Sequence, residues 1–171
     1  MQKILLPVVI ICIAAFLRLL PHMPNFAPIA AMALFGGVYL DRRFAIALPL
    51  VAMIVSDIFL GFSQSTPFVY GCFILTACMG MWLKRHTSVG MVIAASLLSS
   101  VLFFLVTNFG YWLTNSLYPR TFAGQMAAYY FALPFFRNTL IGDLFYTGLF
   151  FGGYAFAQRF SHLTKPATKH T

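Results

Sequence analysis

The sequence predicts an all-α integral membrane bundle of six transmembrane helices with both termini on the cytoplasmic side, on three observations. The composition is extreme: 61% of the 171 residues are hydrophobic and 8% are charged, where a soluble domain carries about 25% charged residues. The apolar residues fall into six runs long enough to be helices. The basic residues cluster in the connections that six crossings put on one face.

Length sets the first test of each run. A helix needs about 20 apolar residues to cross the hydrocarbon, fewer where the bilayer thins. The runs are 4–20, 28–40, 44–62, 68–83, 89–113 and 138–160. The first opens like a signal peptide, but Arg18 and two prolines follow where a small-residue cleavage site would stand, so it reads as a retained helix. The second is short and follows residues 21–28, PHMPNFAP, whose three prolines forbid continuous helix. Irregular backbone at membrane depth is tolerated only where it is buried in protein or lines a cavity. That loop is therefore the first place to look for a site.

Orientation follows from the connections. Arg42 and Arg43, Lys84 and Arg85, the tail with Arg159, Lys165 and Lys169, and Lys3 before the first helix all fall on one side, which the positive-inside rule makes cytoplasmic. The other side receives the proline loop, residues 63–67 and the stretch 114–137. Within that stretch, 121–133 reads as a short helix on the outer surface, readable as a lid. It is capped by Thr121, carries Tyr129 and Tyr130, and stops before Pro134. The whole chain, 1–171, reads as one transmembrane domain with 160–171 as a cytoplasmic tail. This topology fits the inner (cytoplasmic) membrane of a bacterium.

Other function classes are excluded in turn. A net charge of +8 without a basic stripe argues against nucleic acid. Cys12, Cys72 and Cys78 form no metal-ligand or disulfide pattern and read as buried hydrophobes. No hydrolase, zinc-protease or nucleotide-binding motif is present, so the chain is not expected to be an enzyme or to hold a cofactor.

Depth carries the functional reading. At about 1.5 Å of rise per residue, Arg18, Asp57, Asn108, Arg137 and Asp143 all fall in the outer half of the bundle, under a loop that carries His22 and Asn25. Burying charge in hydrocarbon costs several kcal/mol unless it is paired or hydrated. Those seven residues therefore define either a substrate pocket open to the outside or a set of structural ion pairs, with Arg18 and Arg137 neutralising Asp57 and Asp143. Small residues four apart, such as Ala33 and Gly37 or Gly148 and Gly152, allow close helix approach.

The run from Arg18 to Leu40 (RLLPHMPNFAPIAAMALFGGVYL), with VSDIFLG at 55–61, resembles an uncharacterised family of bacterial six-helix transport proteins over essentially the whole chain. More distantly, the chain resembles the substrate-binding (S) components of energy-coupling factor vitamin transporters, above all the solitary cobalamin type. That resemblance implies uptake of a vitamin or related micronutrient, alone or with an energy-coupling transmembrane subunit and ATPases. Ala14-Ala15 or Ala33 and Gly37 would dock such a subunit, and Cys72 would meet a metal carried by the substrate. The spacing from Asp57 to Cys72 differs from that type, so cobalamin is one option among several. The alternative function is a membrane scaffold or assembly subunit whose buried charges are structural.

Overall fold

The computed structural model describes the backbone of residues 2–20 and 23–163 and the side chains of 5–20 and 23–159. The fold is all helical, with α1 Gln2–Leu19, α2 Ile29–Tyr39, α3 Arg42–Leu60, α4 Thr66–Leu83, α5 Val89–Thr114 and α6 Phe122–Leu163. Four of these, α3 to α6, are long and apolar enough to cross a membrane. Residues 164–171 and the loop residues Pro21 and His22 lie outside the described residues.

Side-chain contacts fix the directions. Arg18 at the end of α1 meets Asp57 near the end of α3, and Tyr70 near the start of α4 meets the same carboxylate. Lys84, just past α4, donates to the carbonyl of Leu40, just past α2. Ser100 and Ser96 of α5 meet Asp143 and Thr147 of α6. Helices α1, α3 and α5 thus run one way and α2, α4 and α6 the other.

α2 is the axis of the bundle. Every residue from Ala30 to Val38 is buried, and the helix touches all five others. At 11 residues it is roughly 16 Å long, about half the hydrocarbon thickness. Its tightest neighbour is α4. A Cβ on Gly37 would fall 2.4 Å from the Ala77 carbonyl, and one on Gly80 would fall 2.4 Å from the Leu34 carbonyl. The two backbones therefore touch directly. Phe35 fills the other side of α2, ringed by Tyr39, Phe150, Phe151 and Tyr154.

The interior mixes small and hydroxyl residues with large apolar ones: Ala31, Ala33, Ala77, Ser56, Ser96, Ser99, Ser100 and Thr147 are buried beside Ile11, Met32, Leu34, Phe35, Leu40 and Leu83. Many of the large aliphatics on α3 and α5 nevertheless point outward, as with Ile54, Val55 and Ile58 on α3 or Leu97, Leu98 and Val101 on α5. This pattern belongs to helices packed in lipid, where burial of apolar surface between helices gains little and close approach gains more. Of the small residues expected to dock a partner, Gly37 lies against α4 and Ala14 and Ala33 are buried within the chain, while Ala15 is half-exposed.

The clearest departure from the expected elements is at α6. The separate surface helix at 121–133 and the sixth span at 138–160 form one helix of 42 residues that runs through Pro134. Its start is as expected, since Thr121 Oγ1 accepts from the Gly124 amide at 3.1 Å. A proline removes one backbone donor, but membrane helices tolerate this where neighbours re-satisfy the freed carbonyls. At roughly 63 Å, α6 is longer than a bilayer with its headgroups, about 40–45 Å. Its first turns pack on the end of α5, where the Tyr129 hydroxyl donates to the Leu105 carbonyl. Pro7 and Pro49 are likewise carried inside α1 and α3.

Candidate functional site

The end of the bundle where α1 and α3 finish and α4 begins holds the polar groups. The loop between α1 and α2 reaches this end through a tight turn in which the Phe26 amide bonds the Met23 carbonyl at 3.0 Å. Pro24 takes the second position and Asn25, at φ 62°, the third. Proline followed by a residue at positive φ is the requirement of a type II turn, and asparagine tolerates that conformation better than any other residue with a Cβ.

Two contacts fasten the turn to α6. The Asn138 amide donates to the Pro24 carbonyl at 3.1 Å. Phe26 lies on Gly142, where even a Cβ would come within 3.2 Å of the Phe26 backbone, and its ring packs on Phe145 and Tyr146.

Beneath the turn is a cavity of about 270 Å³, to which all six helices and the loop contribute. Arg18, Asn25, Thr139 and Asp143 supply its polar wall; Ile29, Leu60, Val69, Phe73 and Phe103 supply much of the apolar one. Two acidic groups flank it in different states of compensation.

Asp57 is 5% exposed and matched on both oxygens. Oδ1 receives the Arg18 guanidinium at 2.5 Å, and Oδ2 receives the Tyr70 hydroxyl at 2.6 Å. The same guanidinium also reaches Ser56 Oγ and the Met53 carbonyl. A buried ion pair of this kind needs such additional hydrogen bonds to offset desolvation. Asp143, also buried, accepts from the Ser100 hydroxyl at 2.6 Å on Oδ2, its one side-chain partner among the described residues. Among the described residues the single ion pair is Arg18 with Asp57.

The seven residues expected at the site separate accordingly. Arg18, Asn25 and Asp143 line the cavity, and Asp57 stands behind Arg18. Asn108 lies across the turn, in an adjoining, more open recess of about 470 Å³ that Asn25 also borders; its amide donates to the Phe104 carbonyl. Arg137 is exposed on α6, away from the cavity and from Asp143, so the second of the two expected ion pairs does not form. His22 lies outside the described residues. Cys72 is buried with its thiol directed at the Leu102 carbonyl of α5, 4.0 Å away, rather than lining the cavity. No group of three potential metal ligands occurs among the described residues.

Sequence reasoning missed Ser56, Tyr70, Ser100 and Thr139. It ranked polar groups by charge and amide character, whereas hydroxyls complete this site. Placing serine, threonine and tyrosine by depth in the same way would have put Tyr70 level with Asp57.

A bundle of apolar helices, four of them long enough to cross a membrane, with many aliphatic residues outward and a polar cavity near one end, is a helical membrane-embedded protein. Its sequence matches the model of DUF6580, a family of unknown function, over residues 1–166, and the chain belongs to that family. No curated protein and no solved structure shows significant similarity to it.

Proposed function

We propose that this chain is a small-molecule uptake protein of the bacterial inner membrane. In this reading it crosses six times with both termini cytoplasmic, and it captures a vitamin or related micronutrient in a cavity open to the outer side. One observation carries the reading. A bundle that is otherwise apolar gathers Arg18, Asn25 and Asp143, from two helices and the proline loop, around a single void. Solid packing would cost less if these groups were structural only, since ionisable residues inside a membrane are costly and mark binding sites or pathways.

The six-span topology is supported by the alternation of helix direction. The chain between α1 and α3 must return across the same thickness, with the short α2 supplemented by the loop ahead of it. The orientation rests on the basic connections, which meet at the end of α2 and α4, opposite the cavity. Lacking a nucleotide-binding motif, the chain would draw any ATP-derived energy from a coupling subunit with ATPases. The cavity as formed is just below the range of about 300–1,000 Å³ usual for ligand pockets. It suits a compact molecule far better than a corrinoid.

The scaffold reading has one observation in its favour, the self-contained network of Arg18, Ser56, Asp57 and Tyr70. Mass spectrometry of small molecules that copurify in mild detergent separates the two. A recurrent, stoichiometric small molecule is the expected result. A protein that is empty, and that shows no thermal shift with any member of a vitamin panel, would overturn the uptake reading.

A further inference from the structure

The cavity has a charge balance that selects its ligand, an inference that rests on the uptake reading and narrows it. Arg18 is already held: its guanidinium donates to Asp57, Ser56 and the Met53 carbonyl. Asp57 is engaged too, with both oxygens bonded. That pair adds no net charge to the void. Among the described residues Asp143 is the remaining ionisable group on the wall, 4% exposed, and no described Arg, Lys or His approaches it within 4.0 Å.

Its Oδ2 takes the Ser100 hydroxyl, and no described residue donates to Oδ1. Asp143 itself lines the cavity. One turn away on the same face, Thr139 has donated its hydrogen to the Phe135 carbonyl, which leaves its oxygen to accept. Phe73 and Phe103, ring centroids 5.8 Å apart, line the same cavity. Aromatic faces attract cations, and a buried carboxylate without a partner repels anions and favours any cation that can reach it.

We propose that the cavity takes a small ligand with one protonated nitrogen and a flat apolar body. The nitrogen bonds Asp143 Oδ1 and Thr139 Oγ1, and the apolar body lies against Phe73 and Phe103. The volume of about 270 Å³ sets the size at a single ring with short substituents.

Three near-isosteric probes test this on the full chain in mild detergent: benzylamine, benzyl alcohol and benzoate, read by thermal shift and equilibrium dialysis. Benzylamine is expected to stabilise and bind, with the alcohol weaker and benzoate weakest. Asp143→Asn, which keeps the shape and removes the charge, should weaken benzylamine binding about tenfold or more, the worth of one charge-assisted hydrogen bond. Asp41→Asn, at the other end of the bundle, should leave binding unchanged. If Asp143→Asn does not fold, Ser100→Ala keeps the carboxylate and should preserve the order amine, alcohol, acid. Equal binding of the three probes, undiminished benzylamine binding in Asp143→Asn, or no benzylamine binding at millimolar concentration each overturns the inference. The uptake reading is then still decided separately, by the copurified molecules.

Discussion

The two ends of this bundle are packed by opposite rules. Where α2 and α4 finish, the helices touch backbone to backbone, and neither Gly37 nor Gly80 has room for a methyl group. Where α1 and α3 finish, the same helices spread around a void of about 270 Å³ and tolerate two buried carboxylates at its edge. A membrane helix pair gains from close approach, so the first end is what stability alone would produce. The second forgoes that gain, which is the mark of a region kept for something other than stability.

Breaking the tight end should have the largest effect. Gly80→Leu forces a branched side chain into the Leu34 carbonyl and the Gly37 backbone. The expected outcome is loss of any monodisperse species on size-exclusion chromatography after extraction. By contrast, a methyl group added at Gly148 or Gly152 on α6 would meet nothing within 4 Å; substitution there should behave in the opposite way.

At the open end, Arg18→Ala strands Asp57 in the interior. Removing one partner of a buried pair costs about 3–5 kcal/mol, measurable as a large fall in thermal midpoint. The double change Arg18→Met with Asp57→Leu should recover most of that loss, because it removes the second charge together with the first. A double variant as unstable as the single one would show that the network does more than neutralise a charge.

The turn over the cavity gives a smaller and more discriminating effect. Asn25→Ala places an ordinary side chain at φ 62° and should cost about 1–2 kcal/mol. Asn25→Gly keeps the backbone relaxed and removes only the amide. Unchanged stability with weakened ligand binding in the glycine variant would assign the amide to the site; unchanged binding would assign Asn25 to the turn alone.

The smallest effect is expected from Gly148→Ala with Gly152→Ala. Both positions are exposed helix interior with open space, and alanine there should stabilise by up to about 1 kcal/mol per site. A destabilising result by thermal unfolding would show that this face is covered in the membrane.

Much of this was legible in the amino-acid order. Period and length alone place α1 to α5 within two residues of their observed ends, because uninterrupted apolar runs leave a chain in lipid no alternative to helix. The depth of Arg18, Asp57 and Asp143 follows from counting residues along those helices. What counting cannot supply is rotation about the helix axis. Arg137 has the depth of the site but points away from it, and Cys72 sits one residue from Phe73, which does line the cavity, yet turns its own thiol to α5. Proline misled in one place and informed in another: Pro134 is absorbed within α6, while Pro24 builds the turn.

By itself, then, the sequence determined that the chain is helical and membrane-embedded, where its first five helices begin and end to within a turn, and which polar groups share a level. Those properties are local, set by hydrocarbon's intolerance of unpaired backbone and by a fixed rise per residue. Tertiary structure alone decided that Gly37 meets Gly80 across two helices while Gly148 and Gly152 face open space. It also decided that Arg18 compensates Asp57, while Asp143 lines the void with no described cation beside it. Each of those outcomes depends on which faces of separate helices meet, and that is a property of the packed bundle rather than of any one segment.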